Sequence, residues 1–147
     1  NHLKFLVLGE MQHDDKKICN YLINQFKQKP FIEYIGFKKN IVDYLNISKI
    51  VCLPSKREGM PRVVLEASAC GVPSITYNVI GCNEAIVEDK NGYLVNDLSP
   101  VLLAEKIIEV LNNKNYDLIK ESTRAFAEKN FSINSIINSH KELYKLF

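Results

Sequence analysis

The sequence lacks the patterns that would place the protein in a membrane or at a metal. No apolar run approaches the ~20 residues of a membrane-spanning helix, and no signal-peptide pattern is present. No C-x-x-C pair occurs, and the four cysteines are far apart, which argues against a metal site and favours free thiols in a reducing compartment. We therefore expect a cytoplasmic protein without bound metal. The cysteines are Cys19, Cys52, Cys70 and Cys82.

An excess of charge of one sign is also missing. Nineteen basic and 17 acidic residues give a net charge of +2, which does not indicate a nucleic-acid-binding surface. Arginine is scarce, and two of the three arginines, Arg57 and Arg62, flank Glu58. Because arginine is the cation best suited to bidentate phosphate contacts, this segment is a candidate for binding a phosphate.

Several catalytic and nucleotide-binding motifs are absent as well. The sequence contains neither a P-loop nor a G-x-G-x-x-G pattern. The three histidines show no triad or metal-ligand spacing; they are His2, His13 and His140. A phosphorylation receiver would need an aspartate at the end of the third strand, where Pro54 and Ser55 stand.

What is present is an alternation of predicted strands and helices. With 46% hydrophobic and 24% charged residues, the 147 residues suit one globular domain. The spacing of apolar residues predicts strands at 3–8, 31–35, 50–54, 74–77 and 93–95, with helices at 14–27, 40–45, 61–70 and 83–88. After Ser99, the pattern over 99–147 is helical, with helices at about 115–129 and 132–146. This order predicts an α/β fold, a Rossmann-like parallel sheet with helices on both faces, followed by C-terminal helices.

The segment from Pro54 to Pro73 carries the clearest local signal. Glu58 lies in the loop after a strand, and Gly59 allows a sharp turn. Pro61 suits the first position of a helix that Gly71 ends. The backbone N–H groups of the next three residues, 62–64, should be free at the helix start, where anions are favoured. In open parallel sheets, ligands bind at the carboxyl ends of the strands, which is where this loop lies.

This segment resembles the donor-site motif of the GT4 family of retaining glycosyltransferases, which have the GT-B fold. That family shows the pattern E-G-x-P…L-E-A-x-A-x-G-x-P, and the chain reads E-G-M-P-R-V-V-L-E-A-S-A-C-G-V-P from residue 58 to residue 73. The resemblance continues through residues 78–95, where Gly81 and Glu84 match. Ile80 and Lys90 stand where the family has glycine. The resemblance implies the C-terminal, donor-binding half of a GT-B fold.

The resemblance also implies roles for individual residues. Glu58 would contact hydroxyls of the transferred sugar and steady charge at the anomeric carbon, as the catalytic group. Glu66 would accept hydrogen bonds from the ribose. The donor diphosphate would meet Gly59, Met60, Pro61, Arg62, Val63 and Val64, and the base would lie near Phe37 or Lys38. The plainer alternatives are a solvated loop acid at 58, a surface ion pair at 66, core packing for the valines and an ordinary turn at 37–38.

The resemblance implies that part of the enzyme lies outside the sequence. The first predicted strand resembles the family's second strand, and the first residue is Asn1 rather than Met. We therefore expect the acceptor-binding N-terminal domain, the first strand–helix unit and a phosphate clamp upstream of Asn1. By itself the fragment should be inactive and bind donor weakly. The apolar face of the last helix should promote self-association.

The expected function is that of a retaining glycosyltransferase of hexosyl or N-acetylhexosaminyl type, with no metal or other cofactor. It would move a sugar from a nucleotide-sugar, expected to be UDP-linked, to a glycan or polyprenyl-linked acceptor. The products would be bacterial capsule, lipopolysaccharide or glycoprotein glycans, made at the cytoplasmic face of the inner membrane by a peripherally associated protein. Two alternatives stay open: a non-catalytic α/β ligand-binding or regulatory module, and a GT-B sugar-nucleotide epimerase with different acids in the loop.

Overall fold

A computed structural model describes residues 3–10 and 16–145, with the chain divided into two compact units at residues 1–41 and 42–147. In the first unit, strand β1 (Phe5–Leu8) pairs in parallel with β2 (Ile32–Gly36), and helix α1 (Lys16–Lys27) connects them. The hydroxyl of Tyr34 donates a hydrogen bond of 3.0 Å to the carbonyl of Gly9 and ties the two strand ends together. That residues 1–147 form one domain stays a prediction.

The second unit is built on a parallel sheet of three strands in the order β3 (Val51–Leu53), β4 (Ser74–Tyr77) and β5 (Gly92–Val95). The whole of β4 is buried, because it lies between two strands and carries helices on both faces. The helices of this unit are α2 (Val42–Ile47), α3 (Arg62–Ala69), α4 (Cys82–Ala85), α5 (Pro100–Leu111), α6 (Tyr116–Phe131) and α7 (Ile133–Tyr144). The predicted α/β class with a parallel sheet is confirmed.

Alternation along the strands divides the apolar side chains between two cores. Ile75 and Tyr77 face α5 and pack with Leu103 and Val110 of that helix. On the other side, Val64 of α3 forms a cluster with Ala85 and Ile86, against which Leu53 and Leu94 pack. Period-two alternation therefore holds α3 on one face of the sheet and α5 on the other.

Local signals at the helix ends explain where α3 and α5 stop or start. Gly71 has φ of +73°, and its N–H and that of Val72 donate to Ser68 and Ala67, which is the Schellman pattern of helix termination. Arg124 of α6 donates to the carbonyl of Ala69 and caps the same end. At α5, the Ser99 hydroxyl accepts from the Leu102 N–H, as the sequence predicts.

Helix α7 carries no buried residue, and its apolar side chains are exposed along one side. These side chains include Ile133, Ile136, Ile137, Leu143 and Tyr144. His13, Asp14 and the last residue, Phe147, lie outside the described residues. No helix among the described residues has the length and apolarity needed to cross a membrane.

Candidate functional site

Two loops meet at the carboxyl edge of the second unit's sheet. The first, residues 54–61, follows β3, and the second, residues 78–81, follows β4. The N–H of Glu58 donates a hydrogen bond of 3.1 Å to the carbonyl of Ile80 and joins the two loops. The second loop is anchored in turn, because the N–H of Asn78 donates to Val95 at 2.8 Å. Glu58 is therefore held between β3 and β4 by backbone contacts.

Gly81 is the residue that allows this close approach. Its φ is +83°, which side-chain-bearing residues rarely adopt. A Cβ at this position would lie 2.6 Å from the carbonyl carbon of Glu58 and closer still to the carbonyl oxygens of Glu58 and Gly59. The sequence left open whether Gly81 shapes an acceptor side or only a turn. The structure places it directly against the Glu58 backbone.

The start of α3 presents two free amides at this edge. None of the described residues accepts a hydrogen bond from the N–H of Arg62 or Val63. Two sequence predictions are wrong here. Pro61 is the N-cap with ψ of 98° and not the first helical residue, and the N–H of Val64 donates to the Pro61 carbonyl at 3.0 Å. The tight first turn therefore leaves two donors, where three were predicted, for an anion.

Glu58 is half-buried, and its negative charge acts on the thiol of Cys82. Burial raises the pKa of Cys82, a hydrogen bond with Thr76 lowers it, and the negative charge of Glu58 raises it further. Cys82 is fully buried, so the thiol stays protonated and packs as a small apolar group under the loop. The catalytic role of Glu58 stays a prediction.

Glu66 lies on α3, one helical turn past the two free amides, and is half-buried. Neither Glu66 nor Glu58 forms an ion pair with any described residue, so the alternative of a surface salt bridge at Glu66 finds no partner there. Val63 is half-buried and Val64 is fully buried, so the valine side chains pack while the Val63 backbone amide faces the helix start.

Gly59 and Met60 line the open side of the loop. Gly59 has a negative φ, and a Cβ built there meets no atom within 4 Å. The backbone conformation at Gly59 therefore does not require glycine, although the sequence predicted a sharp turn there. A side chain at this position would extend into open space. Met60 is exposed. Both residues border solvent where a ligand held at the α3 amides would lie.

Phe37 and Lys38 follow β2 in the first unit, and both are exposed. Gly36 before them has φ of +74°, so the chain turns at this point as the sequence predicts. Their assignment to the nucleotide base stays a prediction.

The cations near Glu58 are not engaged in the fold. Lys56, Arg57 and Arg62 are exposed, and their side chains form no ion pair or hydrogen bond with the described residues. Arg124 is the contrast, since it bonds to Glu128 at 2.6 Å and to the carbonyl of Ala69. Two of the three arginines are thus available to a ligand.

Asn91 connects two helices next to the site by hydrogen bonds, a role that the sequence analysis did not predict. Its Nδ2 donates to the Ala85 carbonyl at 2.8 Å and to Ser68 Oγ at 3.2 Å, and its Oδ1 accepts from the Val87 N–H at 2.8 Å. The side chain is fully buried and fixes α4 against α3. In the sequence, Asn91 and Gly92 form a pair that indicates a turn. The position of this pair between two apolar segments is the one feature that favours burial.

Among the described residues, no group of three or more His, Cys, Asp or Glu side chains could hold a metal ion. The carboxyl edge of the second unit's sheet presents one helix start with two free amides, two carboxylates, and three cations that pair with no described residue. This combination suits an anionic ligand that also carries hydroxyl groups, because amides and cations bind phosphates and carboxylates accept from hydroxyls.

Comparison with known proteins decides the family. The family model described as glycosyl transferases group 1 matches residues 1–130. The chain belongs to this family. One curated relative is N,N'-diacetylbacillosaminyl-diphospho-undecaprenol alpha-1,3-N-acetylgalactosaminyltransferase of Campylobacter jejuni, which is 30% identical over 95% of this chain and 36% of its own length. The chain spans 34 to 38% of the length of several curated relatives it matches.

Solved structures agree with this family fold. The C-terminal domain of a group 1 glycosyltransferase (LpcC) from Francisella tularensis is 26% identical, with a TM-score of 0.77 over 88% of this chain and 70% of that one. Anabaena Alr3699/HepE, solved in complex with UDP, gives a TM-score of 0.87 at 20% identity over 99% of this chain and 41% of that one. The expected GT-B relationship is confirmed.

Proposed function

We propose that this chain is the donor-binding domain of a retaining glycosyltransferase, and that the site between β3 and β4 holds a UDP-linked sugar. The observation that carries the proposal is the start of α3. Two free backbone amides, on Arg62 and Val63, lie between Glu58 and Glu66 along the chain. A fixed pair of amides at a helix N-terminus binds a phosphate through hydrogen bonds and the helix dipole.

Each carboxylate then has one role. Glu66 accepts hydrogen bonds from the ribose hydroxyls, because it lies one turn further along α3 than the phosphate-binding amides. Glu58 contacts the transferred sugar and stabilises the positive charge that develops at the anomeric carbon. Its backbone bond to Ile80 fixes the main chain from which the carboxylate extends. Arg62 adds a cation beside the diphosphate and stabilises the leaving nucleotide.

The choice of UDP has its support in the solved complex of Alr3699/HepE with UDP, whose fold this chain shares. We propose that no metal takes part, since the amides of α3 and Arg62 can carry the charge of the diphosphate. Phe37 and Lys38 are proposed to lie near the uracil base. The transferred sugar is proposed to be a hexose or an N-acetylhexosamine.

The acceptor is proposed to be a polyprenyl-diphosphate-linked saccharide, used in the synthesis of bacterial surface polysaccharide or glycoprotein glycans. The support is the diphospho-undecaprenol acceptor in the name of the Campylobacter jejuni relative. Such an acceptor resides in a membrane, so the complete protein is proposed to associate peripherally with its cytoplasmic face. The exposed side of α7 is proposed to mediate self-association when it is not covered.

The test is a transfer assay with the complete protein that contains this chain. UDP-hexoses and UDP-N-acetylhexosamines are supplied with a lipid-diphosphate saccharide, and UDP release and product are measured with and without EDTA. Acceptor-dependent release with retained anomeric configuration, unaffected by EDTA, is expected. Interconversion of the UDP-sugars without transfer would instead show an epimerase, and binding without any turnover would show a ligand-binding module.

A further inference from the structure

A cleft of about 490 Å³ lies beside the donor loop and is not used by the proposed function. Its walls are Lys56 and Arg57 from the loop after β3, and Asn78, Val79, Ile80 and Asn83 from the segment after β4. No residue of α3 lines it. The volume is within the range of sites that bind a small ligand.

Hydrogen bonds fix the backbone of the cleft walls. The hydrogen bond from the Glu58 N–H to Ile80 joins them, and the N–H of Asn83 donates to Val79 at 3.1 Å. The side chain of Asn78 donates to Asn96 Oδ1 at 2.8 Å, which orients its own amide. The backbone of the cleft therefore needs little reordering when a ligand binds.

The chemistry of the lining is cationic and amphipathic. Lys56 and Arg57 carry two positive charges that no described residue neutralises. Asn78 and Asn83 provide amides for hydroxyl groups, and Ile80, which is 67% exposed, offers an apolar surface. A ligand that matches the cations, the amides and the apolar side chain carries a multiply charged anionic group, hydroxyl groups and an apolar part.

We propose that this cleft is the part of the acceptor site that this chain supplies, and that the acceptor-binding domain implied by the family resemblance completes the site. The cleft binds the diphosphate of a lipid-linked acceptor saccharide, with Lys56 and Arg57 on the diphosphate, Asn78 and Asn83 on the sugar, and Ile80 against the first lipid carbons. This inference rests on the proposed function for its choice of ligand. The donor diphosphate has its own amides at α3, so the cations before Glu58 serve the other diphosphate of the reaction. The residues proposed for the acceptor immediately precede Glu58 in the loop, and those proposed for the donor follow it.

Binding to the chain tests the proposal without any need for turnover. Geranyl diphosphate, inorganic pyrophosphate and geraniol are each titrated while the side-chain amides of Asn78 and Asn83 and the methyl groups of Ile80 are followed by NMR. Both diphosphates should shift the amides, geranyl diphosphate should bind at least as tightly as pyrophosphate, and geraniol should cause no shift. Higher salt should weaken binding, since the cations are exposed.

The variant Lys56→Ala/Arg57→Ala should weaken geranyl diphosphate by roughly ten- to a hundredfold, as expected for two exposed charge-assisted contacts. The matched control, Lys114→Ala/Lys141→Ala, removes two exposed lysines that pair with no described residue, and it should bind like the parent chain. Far-UV circular dichroism confirms that both variants fold.

Three results would overturn the proposal. Equal weakening in the control would show a non-specific charge effect, shifts with geraniol alone would show an apolar site, and pyrophosphate binding without geranyl diphosphate binding would exclude a lipid-linked ligand. A separate UDP titration distinguishes failure of the cleft proposal from failure of the proposed donor-binding function. UDP shifts confined to 58–66 support the donor site whatever happens in the cleft, whereas UDP competing with geranyl diphosphate at Asn78 would assign the cleft to the donor.

Discussion

Replacing Gly81 by alanine should damage both the stability of the second unit and its binding site. The added Cβ would meet the backbone carbonyls of Glu58 and Gly59, and carbonyl groups of a fixed loop cannot rotate away as the end of a flexible side chain can. Relief requires the two loops to separate. Glu58 then moves away from Ile80, and the bond that holds it is lost.

The magnitude follows from two contributions. Gly81 has φ of +83° and ψ of −41°, a sparsely populated conformation that costs a residue with a side chain about 1–3 kcal/mol. Losing the hydrogen bond between Glu58 and Ile80 costs about another 1 kcal/mol. The free energy of unfolding of Gly81→Ala should therefore fall by about 2–4 kcal/mol. UDP affinity should fall as well, because Glu58 and the start of α3 are displaced.

Gly59→Ala is the matched control for this variant, because the same change is made in the facing loop at a position with negative φ and no atom within 4 Å of the new Cβ. Its free energy of unfolding should stay within about 0.5 kcal/mol of the parent chain. Its UDP affinity should still fall, because the methyl group occupies the space where the ligand lies. Urea denaturation followed by circular dichroism and UDP calorimetry measure the two effects. Unchanged stability in Gly81→Ala would refute the close approach of the loops.

Three further outcomes are expected. Asn91→Ala should lower the free energy of unfolding by about 3 kcal/mol in a urea titration, because it leaves the buried Ala85 carbonyl and the part-buried Val87 N–H without partners; a loss under 1 kcal/mol would show that water replaces the side chain. Burial raises the pKa of Cys82, so above about pH 9 the unfolded thiol ionises before the folded one, and stability should fall as pH rises, less steeply in Cys82→Ser; equal slopes in the two chains would contradict this. In the complete enzyme, Glu66→Ala should mainly raise the donor KM by roughly ten- to a hundredfold, and Glu58→Ala should mainly lower kcat; a large loss of kcat with an unchanged KM in Glu66→Ala would reverse the roles.

Much of the fold could be predicted because its signals are local. The strand Ser74–Tyr77 was predicted to the residue, since Pro73 and Asn78 delimit an apolar segment too short for a helix. Gly71 and Ser99 marked helix ends that depend only on the backbone nearby. Elsewhere the ends shifted by a few residues: the helix predicted at 83–88 is Cys82–Ala85, and the strand predicted at 3–8 is Phe5–Leu8.

The details of the site could not be predicted because they depend on contacts between distant residues. Gly81 matters because Glu58, 23 residues earlier in the sequence, folds against it. The free amides number two because the first turn of α3 is tight enough for Val64 to reach Pro61, which no residue pattern announces. Cys52 lies within the apolar strand β3 and is nevertheless exposed. The location of the site given by the motif stays a prediction, whereas the packing decides which groups are available there.

The central claim is that UDP binds at the start of α3 beside Glu58, and amide chemical shifts during a UDP titration test it most directly. The account predicts that the largest shifts belong to residues 58–64 and Glu66, with the Arg62 and Val63 amides moving most because they are the free donors. Smaller shifts should follow at Ile80 and Gly81, which contact the loop. Shifts concentrated on α6 and α7, with the Arg62 and Val63 amides unmoved at saturation, would contradict the account.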